Sequence, residues 1–204
     1  MRLGFATLFI LLSLALGVCI FFARKSYRKI GKTVAALLGS LIPPVLGNLI
    51  IILTGNQTLA TVGCYIYFIG MDLFLATLLR FTFDYCMMKW PSIKIRVAVY
   101  AIFGLDMLQL ILNTVFGHAF STEAILVDGF NYYRLVPYWG QTFHRVIDYS
   151  VFLAVLIIYI AKIIRSPKIY AERYSVILIT LLLTGGWQTY YIFSRMPVDR
   201  SMAG

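Results

Sequence analysis

Charge is scarce in this sequence. Only 13% of its 204 residues are Asp, Glu, Lys or Arg, about half the share found in an ordinary soluble domain. With 61% hydrophobic residues and a mean hydropathy of +0.85, a water-soluble globular fold is excluded. Carboxylates are the rarest charges, 8 against 18 Lys and Arg. The resulting net charge of +10 would suggest nucleic acid in a soluble protein. In so apolar a chain the basic residues mark sides of a bilayer instead, and no nucleic-acid partner is expected. Cysteine is limited to Cys19, Cys64 and Cys86, all in or at the edge of apolar runs. The last two lie far apart along one predicted helix, so no disulfide framework is supported.

Catalytic signatures are missing as well. There is no His-Glu-x-x-His, no Gly-x-Ser-x-Gly and no Gly-x-x-x-x-Gly-Lys. The connections rich in Lys and Arg are too short to hold a catalytic domain, so neither an enzyme nor a cofactor is expected. The 2 histidines, His118 and His144, flank the longest connection, with Glu123 and Asp128 between them. Their spacing suits no standard metal template, and no metal ligand is expected.

Apolar runs lie at about 3–23, 33–54, 61–86, 97–116, 146–164 and 174–194. Each is long enough to cross a hydrocarbon core of about 30 Å. The reading is an all-α polytopic membrane protein, a single transmembrane domain of six helices over residues 1–204. The first run is followed, not preceded, by its basic cluster Arg24, Lys25, Arg28, Lys29 and Lys32, and no small-x-small site closes it, so it reads as a retained helix and not a signal peptide. Val18 before Cys19 does not suit a lipoprotein anchor. Lys and Arg gather at 24–32, 89–96 and 162–173, whereas the alternate side carries Arg2, Arg134, Arg145, Arg195 and Arg200. The positive-inside rule then places the N-terminus outside a cell membrane, and six crossings place residues 197–204 outside too.

The long connection, 117–145, contains Phe120, Phe130, Tyr132, Tyr133, Tyr138, Trp139 and Phe143. Within it Asp128-Gly129 separates Ala124-Ile125-Leu126-Val127 from Phe130-Asn131-Tyr132-Tyr133-Arg134-Leu135, which predicts a small external β-hairpin. Its aromatics read either as an interfacial belt or as a ligand lid.

Ionisable residues inside membrane helices cost about 2.5–3.5 kcal/mol on insertion scales and therefore face a partner, water or the bundle interior. Asp72, Ala76, Arg80 and Asp84 fall four apart on one helix, so Arg80 can pair with Asp84 in an intramembrane ion pair. Asp72 stands alone near the middle. Asp106, Gln109 and Asn113 form one stripe on the fourth helix. Asp148 lies near the outer end of the fifth, Thr184, Gln188 and Tyr191 share a face of the sixth beside Trp187, and Asn48 lies in the second. If these faces meet, they line a polar pocket that opens outward; hydrogen bonding between helices would also account for each residue singly. Pro43-Pro44 should kink the second helix near its middle, and Gly185-Gly186 is a second candidate hinge.

Three segments carry a family resemblance: Asn113-Thr114-Val115-Phe116-Gly117-His118, Tyr138-Trp139-Gly140-Gln141-Thr142-Phe143-His144, and Phe193-Ser194-Arg195-Met196-Pro197-Val198-Asp199-Arg200-Ser201-Met202. With the N-out topology, the whole chain resembles the seven-transmembrane N-terminal sensor region of bacterial histidine kinases and diguanylate cyclases. The sequence departs from that pattern by stopping one helix early and by lacking a kinase or cyclase domain. The resemblance implies a truncated sensor that receives a small ligand and passes a helix shift to a cytoplasmic effector. The expected partners are the lipid bilayer, that ligand, the effector and a second copy of the chain in the assembled receptor. A small transporter is the competing reading, because three helices followed by three of opposite orientation form a familiar inverted repeat, and Pro43-Pro44 resembles the break in a discontinuous helix. Against it, the fifth run, which would correspond to the second, contains neither Gly nor Pro. A third possibility is a scaffold subunit without a ligand.

Overall fold

A computed structural model describes the backbone of residues 2–26, 29–127 and 130–193, and the side chains of these except at positions 2, 3, 5, 29, 127, 130 and 187–193. The elements in chain order are α1 (Arg2–Lys25), α2 (Lys29–Ser40), α3 (Ile42–Leu53), α4 (Gln57–Tyr85), α5 (Ile93–Phe116), β1 (Phe120–Val127), β2 (Phe130–Pro137), α6 (Trp139–Arg165) and α7 (Lys168–Phe193). Five stretches are long and apolar enough to cross a membrane: Ala6–Lys25, Ile30–Leu53, Gln57–Tyr85, Ile93–Phe116 and Trp139–Arg165. The sixth expected span coincides with α7, which is helical over Lys168–Phe193; its side chains from position 187 onward lie outside the described residues. Outward faces are apolar, with Leu8, Leu11, Leu14, Val18, Phe21 and Phe22 of α1 all exposed, a surface of the kind that marks membrane or protein contact.

The expected kink near the middle of the second helix is present as a break of one residue within the Ile30–Leu53 stretch, just before the proline pair. Leu41 separates α2 from α3, with Pro43 and Pro44 in the first turn of α3. A proline lacks the N–H that would bond the carbonyl four residues back, so the ladder fails at Gly39 and Ser40, and the break is seen there. The Val45 amide still reaches Leu41 O at 3.2 Å, and the Leu41 amide reaches Leu38 O at 3.2 Å. Ser40 spans the gap sideways: its hydroxyl lies 2.6 Å from Thr77 Oγ1 on α4.

Helix α4 is the spine. It packs on α2, α3, α5, α6 and both strands. Its approach to α3 is set by glycine: a Cβ on Gly47 would lie 2.7 Å from Gly63 O and from Tyr67 N, and one on Gly70 would lie 2.6 Å from Pro44 Cδ. Gly185, a candidate hinge in sequence, packs against the Phe152 ring, where a Cβ would meet Cε1 at 2.7 Å. One apolar core, with Leu75, Leu78, Phe103, Val155 and Tyr159, ties α4, α5 and α6 together. A second, with Ile51, Cys64, Phe68, Leu110, Ala119 and Phe120, closes the opposite end of the bundle under the strands.

The predicted hairpin is present and longer than its turn signal suggests. Strands β1 and β2 are antiparallel and in register from Phe120↔Pro137 to Val127↔Phe130; Asp128 and Gly129 lie outside the described residues. The hairpin is docked at its base. Gln57 Nε2 donates to Thr122 O at 2.6 Å, the Thr61 and Thr122 hydroxyls are 2.7 Å apart, and Tyr133 donates to Gly55 O at 2.8 Å.

Candidate functional site

Helix α5 ends at Gly117, whose left-handed conformation (φ 59°) lets its amide bond back to Asn113 O at 2.9 Å. That turn sends the chain across the bundle toward β1, and Asn113 catches it. Asn113 Oδ1 accepts from the amides of Ala119 at 2.6 Å and Phe120 at 3.3 Å. Its Nδ2 donates to Phe120 O and to Tyr65 Oη, each at 2.9 Å. The return strand is stitched to the same place, with the Tyr138 amide on Ala119 O and the Gly140 amide on His118 O. This double seam starts α6 at Trp139, seven residues before the apolar run suggests, and so brings the first turns of α6 inside the bundle.

His144 is the consequence. It does not flank an external loop; it is 2% exposed and sits among three aspartates from three helices. Nδ1 lies 2.7 Å from Asp106 Oδ2 and 3.7 Å from Asp72 Oδ1, while Nε2 lies 3.3 Å from Asp148 Oδ2. Asp72 and Asp106 are fully buried, and Asp148 is 16% exposed at its side chain. Gln109 Nε2 donates to Asp106 Oδ1 at 2.9 Å and to Gly140 O at 3.3 Å, so it fixes Asp106 and ties α5 to α6. Phe68 packs edge-on to the imidazole with centroids 5.3 Å apart, and Phe120 packs on Phe68 at the same spacing. The hairpin base therefore roofs the cluster.

The sequence-derived residues divide accordingly. Asp72, Asp106, Gln109 and Asp148 come together around His144. Asn113 belongs to the hairpin clamp, one turn above. Asn48 is half-buried on α3, and none of the hydrogen bonds at the cluster involves it. Thr184 is exposed on α7 and bonds within its own helix. The side chains of Trp187, Gln188 and Tyr191 lie outside the described residues, as do residues 194–204, which include most of the third segment of the family resemblance. Arg80 and Asp84 do approach each other, Nε to Oδ2, at 4.0 Å, but Arg80 is 60% exposed there and the shorter bond to Asp84 comes from Thr33, at 2.8 Å. Both residues line an open groove of about 760 Å³ between α4 and α5. Of the expected external group, His118 stacks beside Trp139, with centroids 5.0 Å apart, and Glu123 faces Arg134 across the hairpin.

Chemically, three carboxylates share one imidazole. Among the described residues no Lys or Arg pairs with Asp72, Asp106 or Asp148. Both oxygens of Asp72 and Oδ1 of Asp148 are buried without a hydrogen-bond partner. Fold and site together define a class by architecture: a helical protein with apolar outer faces, built around a buried imidazole and three carboxylates. Comparison of the sequence with protein-family models and with curated proteins finds no match.

The clamp yields a direct prediction. In Asn113→Ala the buried amides of Ala119 and Phe120 lose their acceptor, at about 1–3 kcal/mol for each orphaned group. Hydrogen–deuterium exchange across 119–137 should rise sharply while the α1–α3 bundle keeps its protection. Unchanged exchange in the hairpin would show that the docking contacts of Gln57, Thr61 and Tyr133 hold it without Asn113.

Proposed function

We propose that this chain is the membrane-embedded receiving module of a bacterial signal-transduction protein of the histidine-kinase or diguanylate-cyclase type, multi-pass in the cell membrane with its N-terminus outside. It takes a small ligand in the bundle and relays its presence to a cytoplasmic effector, and carries no catalysis of its own. The observation that carries this reading is the buried Asp72–Asp106–His144–Asp148 cluster. Ionisable groups within a bundle of apolar helices are costly and mark a functional site, and these join α4, α5 and α6 at the point where the external hairpin closes over them. A charge change there alters contacts among three helices at once, the kind of shift that such bundles convert into output.

The reading is tested by the distance between the C-terminal ends of α4 and α6. Spin labels at Met87→Cys and Arg165→Cys, in a Cys19→Ser background in lipid nanodiscs, should report a different distance distribution in Asp106→Asn from that in the unsubstituted cluster. Identical distributions for Asp106→Asn and Asp148→Asn would remove the receptor reading. The interruption at Leu41 favours a second reading, a small transporter with a discontinuous helix, although α6 runs unbroken. Uptake of Zn²⁺ or protons by proteoliposomes, lost in Asp106→Asn, would put transport in place of reception.

A further inference from the structure

We propose that Asp72, Asp106 and His144 bind one divalent first-row transition cation, held from behind by Asp148 and Gln109. This deepens the receptor reading by naming the ligand, and it rests on the same cluster. One ligand atom from each of the four ionisable residues lies within 4.8 Å of all the others. The two ring nitrogens face different partners, which assigns the roles. Nδ1 points at Asp72 and Asp106, and Nε2 at Asp148. Nδ1 and Asp106 Oδ2 share a hydrogen bond at 2.7 Å; an incoming cation displaces its proton to solvent, and Asp148, 3.3 Å from Nε2, is placed to accept the proton on the other ring nitrogen, the carboxylate–histidine–metal arrangement in which an outer acid fixes the tautomer. Gln109 does the same for Asp106, since it occupies Oδ1 and leaves Oδ2 toward Nδ1.

Distances and charge agree with this assignment. Ligands about 2.0–2.1 Å from a tetrahedral ion stand about 3.3 Å apart, and Nδ1 is 2.7 Å from Asp106 Oδ2 and 3.7 Å from Asp72 Oδ1. Closing on an ion requires shifts of about half an ångström. A doubly charged cation balances Asp72 and Asp106, and the remaining charge falls on Asp148, the one member of the group that reaches the surface. The second, independent sign is Asp72 itself: fully buried, it offers two oxygens that no donor meets. A buried carboxylate in that position needs a cation or a proton. Mixed imidazole and carboxylate donors without sulfur suit Zn²⁺, Fe²⁺ or Mn²⁺; Mg²⁺ and Ca²⁺ prefer all-oxygen shells, and Cu⁺ prefers thiolates.

The test uses the full chain with a histidine-free affinity tag in nanodiscs, loaded with Zn²⁺, desalted and assayed for metal by mass spectrometry, with affinity from competition against a fluorescent chelator. About one zinc per chain is expected, lost in Asp72→Asn and His144→Gln. Binding should be about 10- to 100-fold weaker in Gln109→Leu and Asp148→Asn, unchanged in Asp84→Asn, and displaceable by Mn²⁺ better than by Mg²⁺. Asp72→Asn is nearly isosteric and relieves a buried charge, so its helical content and dispersity serve as the folding check. No zinc on the folded unsubstituted chain, or equal zinc on folded Asp72→Asn, would overturn the proposal. The spin-label distance separates this proposal from the receptor reading. Zinc bound without any change in distance keeps the metal site and removes reception. A distance change in Asp106→Asn without zinc binding keeps reception and removes the metal.

Discussion

Replacing His144 with leucine should be among the most damaging single substitutions in this protein. The imidazole is the only side chain among the described residues that makes an ion-pair contact with Asp72, Asp106 or Asp148, and removing one partner of a buried ionic group typically costs about 3–5 kcal/mol. Leucine would leave three carboxylates facing one another around an apolar side chain. The expected result is a large drop in the thermal midpoint of the purified chain, followed by helical circular dichroism in nanodiscs. The double variant His144→Leu with Asp106→Asn distinguishes a charge effect from lost packing. Because it removes one of the stranded charges, it should recover part of the loss, a coupling that additive effects would not produce. Equal midpoints for the single and double variants would mean that imidazole packing against Phe68, and not charge, is what the cluster needs.

The second large effect is expected at the α3–α4 crossing. A Cβ on Gly47 would meet backbone atoms one turn apart on α4, at 2.7 Å from Gly63 O and 2.7 Å from Tyr67 N. Backbone cannot swing aside as a side chain can, so the helices must part. Gly47→Ala is expected to cost about 1–3 kcal/mol, the usual range for overpacking, and Gly47→Leu more, to the point of lost expression. Gly104 supplies the contrast: nothing lies within 4 Å of a Cβ there, and Gly104→Ala in α5 should be neutral or stabilising by up to about 1 kcal/mol. Equal midpoints for Gly47→Ala and Gly104→Ala would refute a close backbone crossing.

The aspartates of the site were legible in the sequence because a carboxylate in an apolar run has few physical excuses. Asp72, Asp106 and Asp148 could be singled out on cost alone. Their partner was not. His144 precedes the fifth apolar run, in a stretch where Arg145 and Gln141 dilute the hydropathy, and it reads as loop. A signal was nonetheless present: Gln141, His144 and Asp148 are three and four apart, so the polar stripe of Asp148 continues backward on one helical face. All three are buried or nearly so. The stripe of Asp106, Gln109 and Asn113 was read correctly as one face but not as two tasks, because only tertiary structure shows that the hairpin base comes down on Asn113 and stops there. The hairpin was legible from Asp128-Gly129, its docking on Gly55, Gln57 and Thr61 was not, since that depends on the depth at which α4 begins. Proline chemistry predicted a disturbance near the middle of the second helix, and the break at Leu41 falls there, because the lost bonds belong to carbonyls four residues before the prolines.

Position 113 also limits which residues evolution or design could put there. One short amide satisfies two backbone N–H groups, a backbone carbonyl and a tyrosine hydroxyl. Aspartate would keep the two acceptor bonds and forfeit both donations; glutamine, one methylene longer, would push its amide past the seam; serine could not span it. In a saturation library scored for hairpin protection, this site should tolerate a single letter of the alphabet, whereas the exposed Val115 two residues on should accept most of them.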